Sequence, residues 1–370
     1  MLRPKRKIIV VGGGLGGLLS SILLNRAEFE ITLIEKRRYP FHRVCGEYIS
    51  NEVRPLLESL NLDIESLNPS SISRLAISSP SGRLFSSGLD LGGFGLSRYN
   101  LDALLFERAK SEGVNFITGE RANKIDFEHN QFKVLLSDNR ELSADFVIAA
   151  HGKRSNLDKD RRFFYRRSPY MGVKYHIQTD FPHNLIQLDN FNGGYCGTVK
   201  IEGDKFCLCY LTKTENLKKA GSIEAMEREI LFNNRALKAR FSESDFLFDK
   251  PEVINEISFE SKALIENHVF YCGDSAGMIT PLCGNGMAMA IHSAKILAET
   301  IVELQTASRQ QLEKTYEFRW KKQFAWRFRT GRLVQGLFGK PLISDLALTI
   351  LQQSPFLSNF IIKKTHGAPF

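Results

Sequence analysis

An α/β fold built around a dinucleotide-binding β-α-β unit is predicted by three features of the sequence. Residues 7–11 form a short apolar strand pattern, and Gly12, Gly14 and Gly17 follow it in a G-x-G-x-x-G arrangement. Residues 18–25 then have helical spacing, and a second apolar strand at 31–34 ends on Glu35. Later segments alternate too densely in strand period to continue as regular β-α-β units, so a second, mostly antiparallel domain is expected.

Each part of the first unit has a chemical reason. Gly12 permits a tight turn, Gly14 lets the backbone approach a pyrophosphate, and Gly17 lets helix and strand pack closely. The helix start at Leu15 and Gly16 offers free N–H groups and a partial positive charge to phosphates. Glu35 ends the second strand about 20 residues on, where a carboxylate accepts ribose hydroxyls, with Lys36 beside it.

The totals fit this reading. The chain has 370 residues, enough for about two domains and an extension, with 43% hydrophobic and 25% charged residues. Six cysteines, Cys45, Cys196, Cys207, Cys209, Cys272 and Cys283, are scattered without C-x-x-C pairs, so neither a zinc site nor a disulfide framework is expected. The N-terminus lacks the pattern of a signal peptide, and no run of about 20 apolar residues occurs, which predicts a cytoplasmic protein. The net charge is +9, and residues 301–370 carry eleven Lys/Arg against four Asp/Glu. That end could meet a membrane surface or a carrier protein, or be a solvated helix face.

Past Glu35 the elements follow in order. Arg43-Val-Cys-Gly-Glu47 is a loop; Arg98-Tyr-Asn-Leu-Asp102 opens an amphipathic helix that stops at Gly113. A strand at 114–118, a meander over 124–142 and a buried strand running into Ala150-His-Gly-Lys-Arg-Ser155 come next. Residues 72–89 read as a hairpin around Pro80-Ser-Gly82; strands are expected at 172–178, 185–188, 194–199, 205–211 and 252–259, with a helix pattern over 223–240. A strand then delivers Gly273-Asp274, and a Gly-rich loop through Gly284 precedes a helix beginning near Met287. The expected division is 1–70, 98–165 and 260–305 for the nucleotide domain, 71–97 and 166–259 for the substrate domain, and 306–370 for a helical extension.

Taken in sequence, these three motifs resemble the FAD-dependent oxidoreductases of the p-hydroxybenzoate hydroxylase superfamily, nearest the geranylgeranyl reductase-like branch, over about residues 7–310. The resemblance implies a Rossmann-like FAD domain in which Glu35 binds the adenosine ribose, Arg98 reaches the cofactor and Ala122 meets the adenine through its backbone. It places Gly273 and Asp274 at the ribityl-phosphate region and Arg43-Val-Cys-Gly-Glu47 beside the flavin. Gly284, Gly286 and Met287 would face the ring at a helix N-terminus, which favours negative charge there. It further implies reduction of a C=C bond or hydroxylation through reduced flavin, on a lipophilic or aromatic small molecule, with NAD(P)H as a transient electron donor. Cys45 and Glu47 are the candidates for proton supply or positioning. The alternative is an FAD-binding electron carrier or ligand-binding protein without turnover.

The chain departs from the branch in two places. Tyr195 matches the start of its Y-x-W-x-F-P stretch, but Gly197 and Val199 replace Trp and Phe, so Tyr195 alone is carried over as a substrate contact. His151 stands where the hydroxylases carry Asp, which weakens direct NAD(P)H reduction. The only tryptophans are Trp320 and Trp326, so the halogenase W-x-W-x-I-P motif is absent and halogenation is not expected. Arg161-Arg-Phe-Phe-Tyr-Arg-Arg167 could attract phosphates or be a solvated basic loop, the second being the expectation; nucleic-acid binding is not expected. Leu312, Tyr316, Trp320, Phe324 and Phe328 make a four-residue stripe that packs on the FAD domain or meets a membrane or partner. Short helices beyond it, broken by Pro341 and Pro355, could roof an apolar pocket.

Overall fold

The computed structural model describes residues 5–166, 168–279, 285–337, 339–354 and 367–370. The first sheet runs in the order β17 (Ile265–Glu266), β18 (Val269–Tyr271), β10 (Phe146–Ala149), β1 (Lys7–Val11), β2 (Glu30–Glu35), β6 (Asn115–Thr118). Its strands pair in parallel except β17 with β18. The register sets Val11 opposite both Ile34 and Ala149, and Ala149 opposite Tyr271. Four strands therefore end along one edge, the ligand edge of an open α/β sheet. Their near-continuous apolar runs suit a sheet buried on both faces. Helix α1 (Leu15–Arg26) packs against α3 (Arg98–Ser111) and α7 (Gly286–Glu303), while α2 (Arg54–Ser59) follows the strand β3 (Tyr48–Ser50).

That strand β3 belongs to the second sheet. The order there is β15 (Asp245–Phe246), β11 (Tyr170–Gln178), β14 (Phe206–Lys213), β13 (Gly194–Lys200), β12 (Leu185–Phe191), β4 (Ser70–Ser78), β5 (Leu84–Gly95), then β3, with β16 (Glu252–Ile257) also on β11. Every pairing is antiparallel except β12 with β4. One face is covered by α4 (Thr214–Ala220), α5 (Ile223–Glu229) and α6 (Arg235–Ser242), whose Met226 and Leu237 bury against Met171, Val173 and Tyr210. The helix pattern over 223–240 is thus interrupted. Asn234 stops it because its side chain accepts from the N–H groups of Ala236 and Leu237 and starts α6 afresh. A separate meander of β7 (Ala122–Glu128), β8 (Gln131–Leu136) and β9 (Glu141–Ala144) completes the strands.

After α7 come α8 (Arg309–Leu337) and α9 (Pro341–Gln353). Leu312, Tyr316, Trp320 and Phe324 are buried in the same core as the first sheet, so the apolar stripe packs on the nucleotide-binding half. The Tyr316 hydroxyl donates to the Tyr271 carbonyl at 2.6 Å. Tyr316→Phe removes that donor from a buried carbonyl and will destabilise the fold by about 1–2 kcal/mol. A lower urea midpoint at unchanged slope would show it. Among the described residues, no helix is long and apolar enough to cross a membrane.

Candidate cofactor and active site

The three glycines of the first motif meet three different surroundings. A Cβ on Gly12, at φ +105°, would lie 2.5 Å from the Ala150 carbonyl oxygen. On Gly17 it would lie 1.9 Å from the Gly12 oxygen. On Gly14 it would meet only an Arg98 guanidinium nitrogen, at 3.7 Å. Two glycines thus serve backbone packing and one faces open space. No side chain caps α1 at Gly14, which leaves its first N–H groups to an external acceptor.

Two arginines lean over this opening. Arg98 donates to both carboxylate oxygens of Asp102, at 2.7 and 2.8 Å, and Arg43 donates to the same carboxylate at 2.9 Å. Arg43 also reaches the Gly13 carbonyl and Glu35, at 3.0 and 3.1 Å. Glu35 is buried and accepts from the Gly13 N–H at 2.9 Å, while Lys36 is exposed beside it. Asp102 was quoted in the sequence only as part of a helix start. Its signal was its place one turn after Arg98, which puts both side chains on one face.

The second and third motifs are tied to each other. Ser275 accepts from the Gly152 N–H at 2.9 Å and lies 3.4 Å from His151 Nδ1. Burial lowers His151 to about 4, so the ring is neutral at physiological pH. Arg161 corrects the expectation of a solvated loop: it is buried, pairs with Asp158 at 2.9 Å, donates to the Ser275 and Ala263 carbonyls and stacks on Tyr271. Arg162 and Arg166 remain exposed.

Asp274 is half-buried at the ligand edge, and no described group donates to its carboxylate. Burial raises its pKa, against the pull of Lys262, Arg98 and Arg43. Gly286 and Met287 form the first turn of α7, whose N-cap residue Asn285 makes no side-chain capping hydrogen bond. Gly273, Asp274, Gly277, Gly286, Trp320 and Phe324 share one small cavity. Gly284 and Cys283 lie outside the described residues. Ala122 is buried, and its carbonyl accepts from the Asn156 side chain at 3.3 Å.

The 43–47 segment lies between the two sheets. Glu47 is fully buried at φ +56°; its carboxylate accepts from the Arg98 N–H at 2.8 Å, from Lys174 at 2.5 Å and faces His176 Nε2 at 2.7 Å. Burial opposes its ionisation, but Lys174 and His176 outweigh that and hold it down at about 2. Cys45 is half-buried; burial raises its pKa and keeps it a thiol, and its carbonyl accepts from the Cys207 thiol at 3.2 Å. Lys174 and His176 were not singled out in the sequence. Two polar residues on the same face of an otherwise apolar strand, Gly172-Val-Lys-Tyr-His-Ile177, were the available signal.

An unpartnered carboxylate, an open glycine, an uncapped helix start and two anchored arginines fit a dinucleotide with hydroxyls along its middle. Fold and site thus define an α/β nucleotide-cofactor protein. Residues 5–330 match the FAD binding domain family, and the chain belongs to it; its cofactor is FAD. A tryptophan 2-halogenase of Chondromyces crocatus is 22% identical over 334 residues, 81% of this chain and 62% of that protein. A digeranylgeranylglycerophospholipid reductase of Methanocaldococcus jannaschii is 26% identical over 337 residues, 85% and 82% of the two chains. The structure of a flavin-dependent brominase superposes with a TM-score of 0.81 at 15% identity, over 99% of this chain and 94% of that one, a likeness of fold. The chain therefore spans less than two thirds of the length of that tryptophan halogenase.

Proposed function

We propose that the protein is an FAD-dependent oxidoreductase acting on an apolar or aromatic small molecule. The observation that carries this reading is the face of the second sheet opposite α4–α6. There Leu188, Tyr195 and Leu211 cluster with Leu348 of α9, which roofs them. Gly197 and Cys209, both half-buried, pair across β13 and β14 on that face, and the Cys207 thiol on the same face reaches the Cys45 carbonyl. A substrate lodged there would be gripped by shape and apolar contact, with Tyr195 as a contact. Halogenation stays outside the proposal, because the chain lacks the paired tryptophans of that motif.

Bound FAD supplies the electron-transfer chemistry. Gly14, the start of α1, Arg43 and Arg98 would hold its pyrophosphate. Glu35 would take the adenosine ribose, and Asp274 would accept from hydroxyls of the ribityl chain. The start of α7 at Gly286 and Met287 would favour negative charge on the ring side. Glu47, enclosed and ionised, has no proton to give at neutral pH and acts by positioning residues 43–47 and 98. Cys45 keeps its proton and is the candidate donor. Lys153, lowered to about 8 by burial and also by Arg154 and Lys36, against Glu256, offers a cationic rim for the phosphates of a transient NAD(P)H donor.

Arg98→Met will raise the Kd for FAD by roughly 10–100-fold, the loss of a charge-assisted contact. Titration of the apoprotein with FAD measures it. The function itself is tested by incubating the FAD-loaded protein with NADPH, isotope-labelled O₂ and a panel of lipophilic and aromatic compounds. Labelled oxygen in a product means hydroxylation; two added hydrogens without oxygen mean reduction. Donor oxidation with every compound unchanged means an electron carrier and overturns the proposal.

A further inference from the structure

The stripe that packs α8 on the protein leaves its opposite face outside. Phe318, Trp326 and Leu333 are 65%, 53% and 74% exposed there. With 3.6 residues per turn, Phe318, Lys322, Trp326, Arg329 and Leu333 fall within an arc of roughly 80°. Lys314, Lys321 and Arg332 flank that arc, and all are exposed. Its nearest carboxylates, Glu313 and Glu317, are half-buried; Glu313 pairs with His268 and Glu317 with Lys321. Helix α9 packs against α8 and exposes Leu346 and Ile350.

Large apolar side chains interleaved with exposed cations on one helix face are the pattern of a helix lying in a membrane interface. Tryptophan suits the headgroup level, and lysine and arginine reach anionic headgroups. An acidic protein would match the charges but would leave the cost of three protruding apolar residues unexplained. The geometry points to the outer face of α8 as a docking surface for an anionic lipid bilayer. This surface is separate from the cofactor site, and it does not rest on the proposed reaction. The inner face of the same helix carries Trp320 and Phe324 into the small cavity beside Asp274.

The test uses the full FAD-loaded chain and vesicles of phosphatidylcholine alone or in equal mixture with phosphatidylglycerol. The protein should sediment with the mixed vesicles and be released by high salt. Its tryptophan emission should shift to the blue. The chain has two tryptophans, and Trp320 is already buried, so Trp326→Phe should abolish the shift. Lys322→Glu with Arg329→Glu should weaken vesicle binding at least about tenfold. Lys218→Glu with Lys219→Glu, exposed on α4, should not. Equal loss in both double variants, or equal binding to both vesicle types, overturns the proposal. So does indifference to vesicles combined with capture of an acidic carrier protein through Lys322 and Arg329. If the double variant does not retain FAD, the Trp326 emission of the unmodified chain still decides.

Discussion

Gly14→Val will give a protein that folds and does not retain flavin, whereas Gly17→Val will give little folded protein at all. The two residues lie three apart in one motif, and composition treats them alike. Their surroundings differ. A Cβ on Gly17 would sit 1.9 Å from the Gly12 carbonyl oxygen, backbone against backbone, and nothing there can rotate aside. Overpacking of yielding side chains costs about 1–3 kcal/mol, and this clash exceeds that range. At Gly14 the backbone is extended, φ −86° and ψ −174°, a conformation valine adopts freely. Its Cβ would meet only Arg98, at 3.7 Å, so the apoprotein should keep its stability within about 1 kcal/mol. The space it fills is the space proposed for the pyrophosphate. FAD affinity should fall roughly a thousandfold, about 4 kcal/mol. Visible flavin absorbance after purification and the unfolding midpoint of each apoprotein separate the two effects. Retention of flavin by Gly14→Val would place the cofactor elsewhere.

The contrast shows what local sequence carries. Strand, glycines, helix and Glu35 are contiguous, and their chemistry follows from spacing alone. The parallel edge was legible for the same reason, since each motif directly follows an apolar strand. The long-range partners were not. Asp102 gathers Arg43 and Arg98 from segments 55 residues apart, and no periodicity announces a shared acceptor. Arg161 looked solvated because it sits among charges; Asp158, three residues earlier, and carbonyls from 263 and 275 bury it. The stripe on α8 gave the helix and its buried face, but periodicity cannot say which surface receives that face. Here it is the sheet that holds the cofactor edge.

Lys174→Met will be the most damaging single change in the second sheet, and Glu47→Gln in the same chain will restore part of the loss. Both side chains are fully buried, and their pairing ties the residue before β3 to β11. Removing one member leaves a buried charge with half its compensation, which typically costs 3–5 kcal/mol. Removing both leaves neutral groups of similar size, and His176 retains a partner in the amide. A double-mutant cycle by urea denaturation should therefore show strong positive coupling, far outside the roughly 0.5 kcal/mol of independent sites. The pH dependence has a definite sign. Glu47 is held at about 2 in the fold, against an ordinary value of 4.5. In the window between those values the unfolded chain binds more protons, so stability rises with pH. The contribution is complete above that window and is lost as the pH falls through it. Glu47→Gln should flatten that acid limb. It should also weaken FAD binding, because the carboxylate holds the Arg98 N–H in place. A shifted pH–rate profile with unchanged stability and FAD affinity would instead make Glu47 a proton carrier, and the positioning role would fall.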